Sequence, residues 1–184
     1  MYSAPVIETE RLILTWPSRE QAKGYYHSII GTDMFDTLHW DGPSGPEDLY
    51  DYWESVNKKD DYDQELHLAI INKSTNEYMG GCGLRPKGES RTIINIGYAL
   101  APKFHGLGYA TEAVDAIVNE GFEVRGAERV YADVFVGNTA SRRVLEKLGF
   151  IFEGTKRRAT LKRGQWLDQW LFAITRPDWE KLSQ

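Results

Sequence analysis

A strand that runs directly into a glycine-bearing turn and then a helix constrains this chain more than any other feature. Thr92–Leu100 reads TIINIGYAL, β-branched and apolar as a strand requires. APKFHGLGYATEA follows over Ala101–Ala113, and Ala110, Ala113, Val114, Ile117, Val118, Gly121 and Phe122 then recur at helical spacing. The first N–H groups of such a helix have no intrahelical partners, and the helix dipole adds partial positive charge there. Gly106 and Gly108 let the backbone approach an anion with no Cβ in the way. The segment reads either as a phosphate site or as two glycines kept for packing alone. It is not a Walker loop, because no Gly-Lys-Ser/Thr follows, and it lacks the third glycine of the dinucleotide fingerprint.

The surrounding pattern alternates strands and helices. Glu10–Thr15 predicts a first strand. Ser18 and Gln21 predict a capping box, opening a helix that runs to about Ile30. Gly31–Gly45 reads as a loop holding Phe35, His39, Trp40 and Asp41. A second helix is predicted from Pro46 to about Lys58, with Leu49, Tyr52, Trp53 and Val56 on one face. Glu65–Asn72 and Glu77–Leu84 predict a hairpin, and Gly80, Gly81 and Gly83 in its second strand suggest a close backbone approach or a bulge. Arg129–Phe135 predicts a strand and Ala140–Leu148 a short helix closed by Gly149. Strands near Phe150–Arg158 and Gln165–Ile174 follow, the last with Trp166, Asp168, Trp170 and Phe172 on one face. The expected order is β-α-α-β-β-β-α-β-α-β-β, in one domain spanning residues 1–184.

Composition excludes several classes. A net charge of −5 leaves no basic footprint for nucleic acid and mildly favours cationic partners such as amines. Cys82 is the single cysteine, so no internal disulfide can form. No apolar stretch approaches the roughly 18 residues a membrane span needs, and the N-terminus does not read as a signal peptide. A cytoplasmic protein with no membrane association is expected. The histidines show no ligand spacing, so no metal is expected.

After the helix and the next strand comes NTASRRVLEKLGF, Asn138–Phe150. PKFHGLGYATEA and this run together, with their spacing, resemble the GNAT acetyltransferases. ETERLIL near the start and the closing strand pattern resemble the branch that acetylates ribosomal-protein N-termini. The resemblance covers nearly the whole chain. It implies an α+β, mixed α/β fold: a mostly antiparallel seven-stranded sheet, splayed at a cofactor slot and flanked by about four helices. It also implies acetyl-CoA as the acyl donor, with the backbone N–H groups from His105 through Gly106, Leu107, Gly108 and Tyr109 to Ala110 on the pyrophosphate. Lys103 stands where the family usually has Gln or Arg.

By the same resemblance, a backbone N–H near Ala99 or Leu100 stabilises the oxyanion. Ser141 serves the leaving thiolate, Asn138 bonds the cofactor amide or orders the site, and Arg143 or Arg142 reaches cofactor phosphates. Read from local pattern alone, Ser141 and Asn138 are equally a first-turn residue and a helix cap, and the arginines a solvated helix face. Phe35, Trp40 and Asp41 are expected to contact the acceptor as an aromatic wall with a carboxylate. Asp168, odd among aromatics, and Glu153 are candidate bases; Glu112 reads as solvated, His105 as structural and Cys82 as packed. The basic run Lys156–Arg163 reads as an exposed hairpin.

The resemblance implies acetyl transfer to a primary amine, foremost a peptide or protein α-amino group, by a monomer or homodimer. Acetylation of a small amine, such as a polyamine, aminoglycoside or amino-acid derivative, is the near alternative. A non-catalytic CoA-binding module and a nucleotide-phosphate enzyme are the more distant ones.

Overall fold

A computed structural model describes residues 6–58 and 65–182. Strands β1 (Ile7–Glu8) and β2 (Leu12–Thr15) form a tight hairpin. Helix α1 (Arg19–Ile29) opens on the predicted capping box, with Ser18 accepting from the Gln21 N–H and the Gln21 side chain accepting from the Ser18 N–H. Helix α2 (Pro46–Lys58) follows a 3-10 turn at Met34–Thr37. Leu49 and Trp53 of α2 are buried, whereas Tyr52 is exposed. The side chain of Val56 lies outside the described residues. Strands β3 (Leu66–Asn72), β4 (Tyr78–Lys87) and β5 (Ile93–Leu100) lead to α3 (Tyr109–Asn119), which ends in a π turn at Glu120–Val124. Then come β6 (Arg129–Phe135), α4 (Thr139–Lys147), β7 (Ile151–Lys162), β8 (Gln165–Thr175) and α5 (Arg176–Leu182).

Among the described residues, eight strands make one sheet in the order β1-β2-β3-β4-β5-β6-β8-β7. Seven strands were expected; the extra one is the two-residue β1, too short to carry a periodic signal. The extra helix is α5. Its signal lies in Thr175-Arg-Pro-Asp178: Asp178 accepts from the Thr175 N–H at 3.3 Å and from its hydroxyl at 2.5 Å, and Pro177 sits in the first turn. Trp179 of α5 stacks on the buried Phe122 ring at 5.0 Å.

Every pairing in the sheet is antiparallel except β5 with β6. That parallel pair is bonded only from Ile93–Asn95 to Arg129–Tyr131. Each strand pairs along its length with its outer neighbour, β5 with β4 and β6 with β8. Beyond Asn95 and Tyr131 the two part, and the sheet splays as expected.

Apolar alternation divides the core between the two faces. On one face Ile94, Ile96 and Leu100 pack with Ala113, Val114 and Ile117 of α3. On the other, Ala69, Ile71 and Tyr78 pack with Tyr25, Ile29 and Trp53. The glycine-rich β4 fulfils both sequence expectations. The β3–β4 register shifts at Ile70/Ile71. A Cβ on Gly80 would stand 2.0 Å from the Ala99 carbonyl oxygen, and one on Gly83 2.5 Å from that of Leu66.

Candidate active site

The turn after β5 holds a run of unengaged donors. Pro102–Phe104 forms a 3-10 turn closed by the His105 N–H on the Pro102 carbonyl at 3.0 Å. The first helical bond of α3 is Glu112 N–H to Gly108 O at 3.1 Å. Between them, the N–H groups of Gly106 to Thr111 have no acceptor among the described residues. The donor run is thus shifted by one residue from the expected His105–Ala110. Gly108 is the N-cap, with φ of +82°, and Gly106 has φ of +75°. Both are left-handed conformations that side chains resist.

Side chains fix this turn from three directions. The His105 ring meets the Leu100 carbonyl through Nε2 at 2.9 Å, the structural role expected of it. Lys103 reaches away to Glu77 at 2.9 Å and lies over the Phe104 ring. Arg11, which the sequence reading left aside, donates through Nη1 to the Leu107 carbonyl at 3.0 Å and lies over the Tyr109 ring at 4.4 Å. Its Nε donates to Glu112 at 2.7 Å, and Glu112 also accepts from the Arg11 N–H and from Thr9 Oγ1. Glu112 was expected to be solvated; it instead pins the β1–β2 turn to α3. Burial raises its pKa, but the bonds from Thr9 and Arg11 outweigh this and hold it below the usual carboxylate range.

The splay opens beside this turn. Ala101 N–H donates to the Met79 carbonyl at 2.8 Å, toward β4. By the alternation of an antiparallel ladder, the N–H groups of Leu100 and Tyr98 point the other way, into the gap between β5 and β6. Across the gap, the Asn138 carboxamide oxygen accepts from the Ser141 N–H at 3.1 Å and caps α4. The Asn138 amide NH₂ has no partner among the described residues. Ser141 Oγ lies 2.8 Å from the Tyr98 hydroxyl, which also donates to the Ser141 carbonyl at 3.1 Å. Burial pushes the Tyr98 phenol up to about 12, against the lowering effect of Ser141. Tyr98 was missed because one tyrosine in an apolar strand reads as core. Arg142 pairs with Glu146 at 2.7 Å and lies over Trp170, whereas Arg143 is exposed on α4.

The opposite face is rearranged from expectation. Phe35 is buried in the core, and Trp40 packs edge-on against it at 5.4 Å. Asp41 binds Lys162 at 2.8 Å and Arg163 at 2.9 Å, so it ties the loop to the β7–β8 hairpin. The carboxylate of the expected aromatic wall is therefore part of a clasp, which engages Lys162 and Arg163 at the end of the basic run. Asp168 accepts from the Arg158 N–H at 2.7 Å, in the irregular stretch of β7 where Arg158 has φ of +48°. Glu153 is paired with Arg129. Cys82 is buried, and burial pushes its thiol up to about 12, which removes it as a nucleophile.

His39, in the same loop, stays exposed but lies against the end of the gap. Its ring lies 4.8 Å from that of Phe135, and Nε2 meets the Gln169 amide at 2.6 Å. Burial, then Arg85, then Lys162 lower the His39 pKa, against Asp133. Extending the β5–β6 register brings Phe135 level with Ala99. A cavity of about 470 Å3 adjoins, lined by Asp36, Thr37, Phe135, Asn138 and Asp168 among others.

A splayed β5–β6 edge, a helix N-terminus with free donors and a polar opposite face together fit a thioester carried on a phosphate-bearing tail. The comparisons agree. The model of the acetyltransferase (GNAT) domain matches residues 11–151. The uncharacterized N-acetyltransferase YoaA of Bacillus subtilis is 25% identical over 94% of this chain and 98% of its own length. The [ribosomal protein uS5]-alanine N-acetyltransferase of Escherichia coli is 34% identical over 46% of this chain and 43% of its own. The structure of RimL, a ribosomal alpha-N-protein acetyltransferase in complex with coenzyme A, superposes with a TM-score of 0.81 at 18% identity, covering 93% of this chain and 98% of that one. The chain belongs to the GNAT acetyltransferase family and is an acetyl-CoA-dependent N-acetyltransferase.

Proposed function

We propose that this enzyme acetylates the α-amino group of a peptide or protein, with the reaction run across the β5–β6 gap. The observation that carries the reading is the convergence there of three groups: the inward Leu100 N–H, the Tyr98–Ser141 hydroxyl pair, and His39 on the far side. The name of the Escherichia coli relative, a ribosomal-protein-alanine acetyltransferase, supports an α-amine acceptor.

Acetyl-CoA, when bound, supplies an electrophilic thioester carbonyl and a thiolate leaving group. The N–H groups of Gly106–Thr111 would hold its pyrophosphate, the Asn138 NH₂ would donate to its amide, and the exposed Arg143 would add positive charge nearby, whereas Lys103 is held by Glu77. His39 takes a proton from the incoming ammonium group. The Gln169 amide NH₂ donates to His39 Nε2 at 2.6 Å, which puts the ring proton on Nδ1; turning the carboxamide over presents its oxygen to Nε2–H instead and frees the Nδ1 lone pair for this transfer. The Leu100 N–H is the donor available to a developing oxyanion. Ser141 hands a proton to the leaving sulfur and is resupplied by Tyr98, whose raised pKa keeps it protonated at neutral pH.

Free-thiol release from acetyl-CoA against short peptides beginning with Ser or Ala, spermidine, an aminoglycoside and amino-acid derivatives tests the reading. Peptide-dependent release is expected. Release with small amines alone would replace the acceptor, and CoA binding with no release for any amine would replace catalysis by a binding role.

A further inference from the structure

We propose that Arg85 binds a carboxylate of the acceptor, so that the enzyme selects peptide amines followed closely by an acidic side chain. This rests on the peptide-acceptor reading and names the acceptor class within it.

Arg85 lies on β4 and reaches over Gly97 of β5. A Cβ at position 97 would stand 2.9 Å from its Nη1 and 3.9 Å from its Cζ. Gly97 lies two residues past Asn95, the last β5 residue paired with β6. The guanidinium therefore stands at the mouth of the gap, on the face opposite α3, which is the face that carries His39 and Phe135. Gly83 and Gly97 are paired across β4 and β5; Gly83 is buried, with His67 Nδ1 3.5 Å from where its Cβ would stand, whereas Gly97 is half-exposed.

The charge of Arg85 is unmatched. The group is half-buried, so part of its hydration is lost. It makes no hydrogen bond or ion pair among the described residues. Tyr52, Glu65 and His39 feel its charge without bonding it. Lys156 is matched by Asp133 and Lys162 by Asp41, and the nearest carboxylate, Glu65, is turned to His67 at 2.9 Å rather than to Arg85. One planar fork of donors, lying over Gly97, is left with no bonded partner among the described residues, and such a fork takes a carboxylate bidentately.

Distance selects which carboxylate. Gly97 and Leu100 are about 10 Å apart along an extended strand. The α-carboxylate of a free amino acid is too close to its own amine to span that separation. An acidic side chain at the second or third residue of a peptide reaches it.

The test uses short peptides identical except for Glu, Gln or Lys at the second position, with wild-type enzyme, Arg85→Gln and Arg85→Glu. Both kcat/KM and peptide binding to the CoA-loaded protein are measured, with Tm as the check on folding. Wild type is expected to prefer Glu over Gln by roughly tenfold or more. Arg85→Gln should bring the Glu peptide down to the Gln peptide, and Arg85→Glu should turn the preference toward Lys. Equal use of Glu and Gln by the wild type, or a Glu preference that survives in Arg85→Gln, overturns the proposal. If no peptide is acetylated, the transfer reading fails separately, and the Glu–Gln difference in binding still decides the role of Arg85. An Arg85-dependent preference for free amino acids over every peptide also overturns it.

Discussion

The Tyr98 and Ser141 hydroxyls lie 2.8 Å apart, joining the inner edge of β5 to the first turn of α4 across the gap in the sheet. If this pair delivers the proton to the leaving sulfur, Ser141→Ala should lower kcat by roughly a hundredfold. Tyr98→Phe should lower it less, because solvent can resupply the serine. Acetyl-CoA affinity, measured by calorimetry, should change little in either variant. An unchanged kcat in Ser141→Ala removes the serine from the mechanism.

His39 should set the acid limb of the pH profile. Its pKa is lowered by burial and by the Arg85 and Lys162 charges, so the base is neutral at pH 7. kcat/KM should fall only as pH drops below the ordinary imidazole value of 6.5. His39→Gln should lower kcat by roughly a hundredfold and remove that limb. A limb that persists in the variant assigns proton removal to another group.

Gly108→Val should abolish acetyl-CoA binding. The residue has φ of +82°, and its Cβ would stand 3.3 Å from Arg11 Nη2, at the edge of the donor run. A β-branched side chain there costs about 1–2 kcal/mol in backbone strain alone. Circular dichroism separates loss of the site from loss of the fold. Normal binding by a folded Gly108→Val variant rules out the turn as the pyrophosphate site.

Glu112 should contribute to stability in a pH-dependent way. Its folded pKa is depressed, so its stabilisation is present above the ordinary carboxylate range and disappears as pH falls through the folded value. Glu112→Gln should cost about 1–2 kcal/mol at pH 7. The gap in Tm between variant and wild type should close on acidification. A gap that stays constant down to acid pH would show that the carboxylate charge is not what holds the β1–β2 turn.

The main elements and the glycine turn after β5 were legible because their signals are local. Ser18 and Gln21 cap α1 as read, Arg129–Phe135 is a strand to the residue, and Gly106 and Gly108 carry positive φ. Periodicity, capping and left-handed turns depend on residues a few positions apart, and sequence records them directly. The motif pair around Gly106 and Ser141 added the family for the same reason.

The acceptor face was not legible, because its residues meet only after the strands pair. Asp41 looked free until Lys162, on the β7–β8 hairpin, closed on it, and Glu112 looked solvated until the β1–β2 turn folded over α3. Nothing near His39 in sequence announces Phe135 or Gln169. Nothing near Arg85 reveals that position 97, its neighbour across the sheet, lacks a side chain. The sequence alone determined which segments become strands and helices and where a glycine turn opens a helix. Tertiary structure decided which charges are paired and which are left without a bonded partner among the described residues, because ion pairs and burial depend on distance in space rather than along the chain.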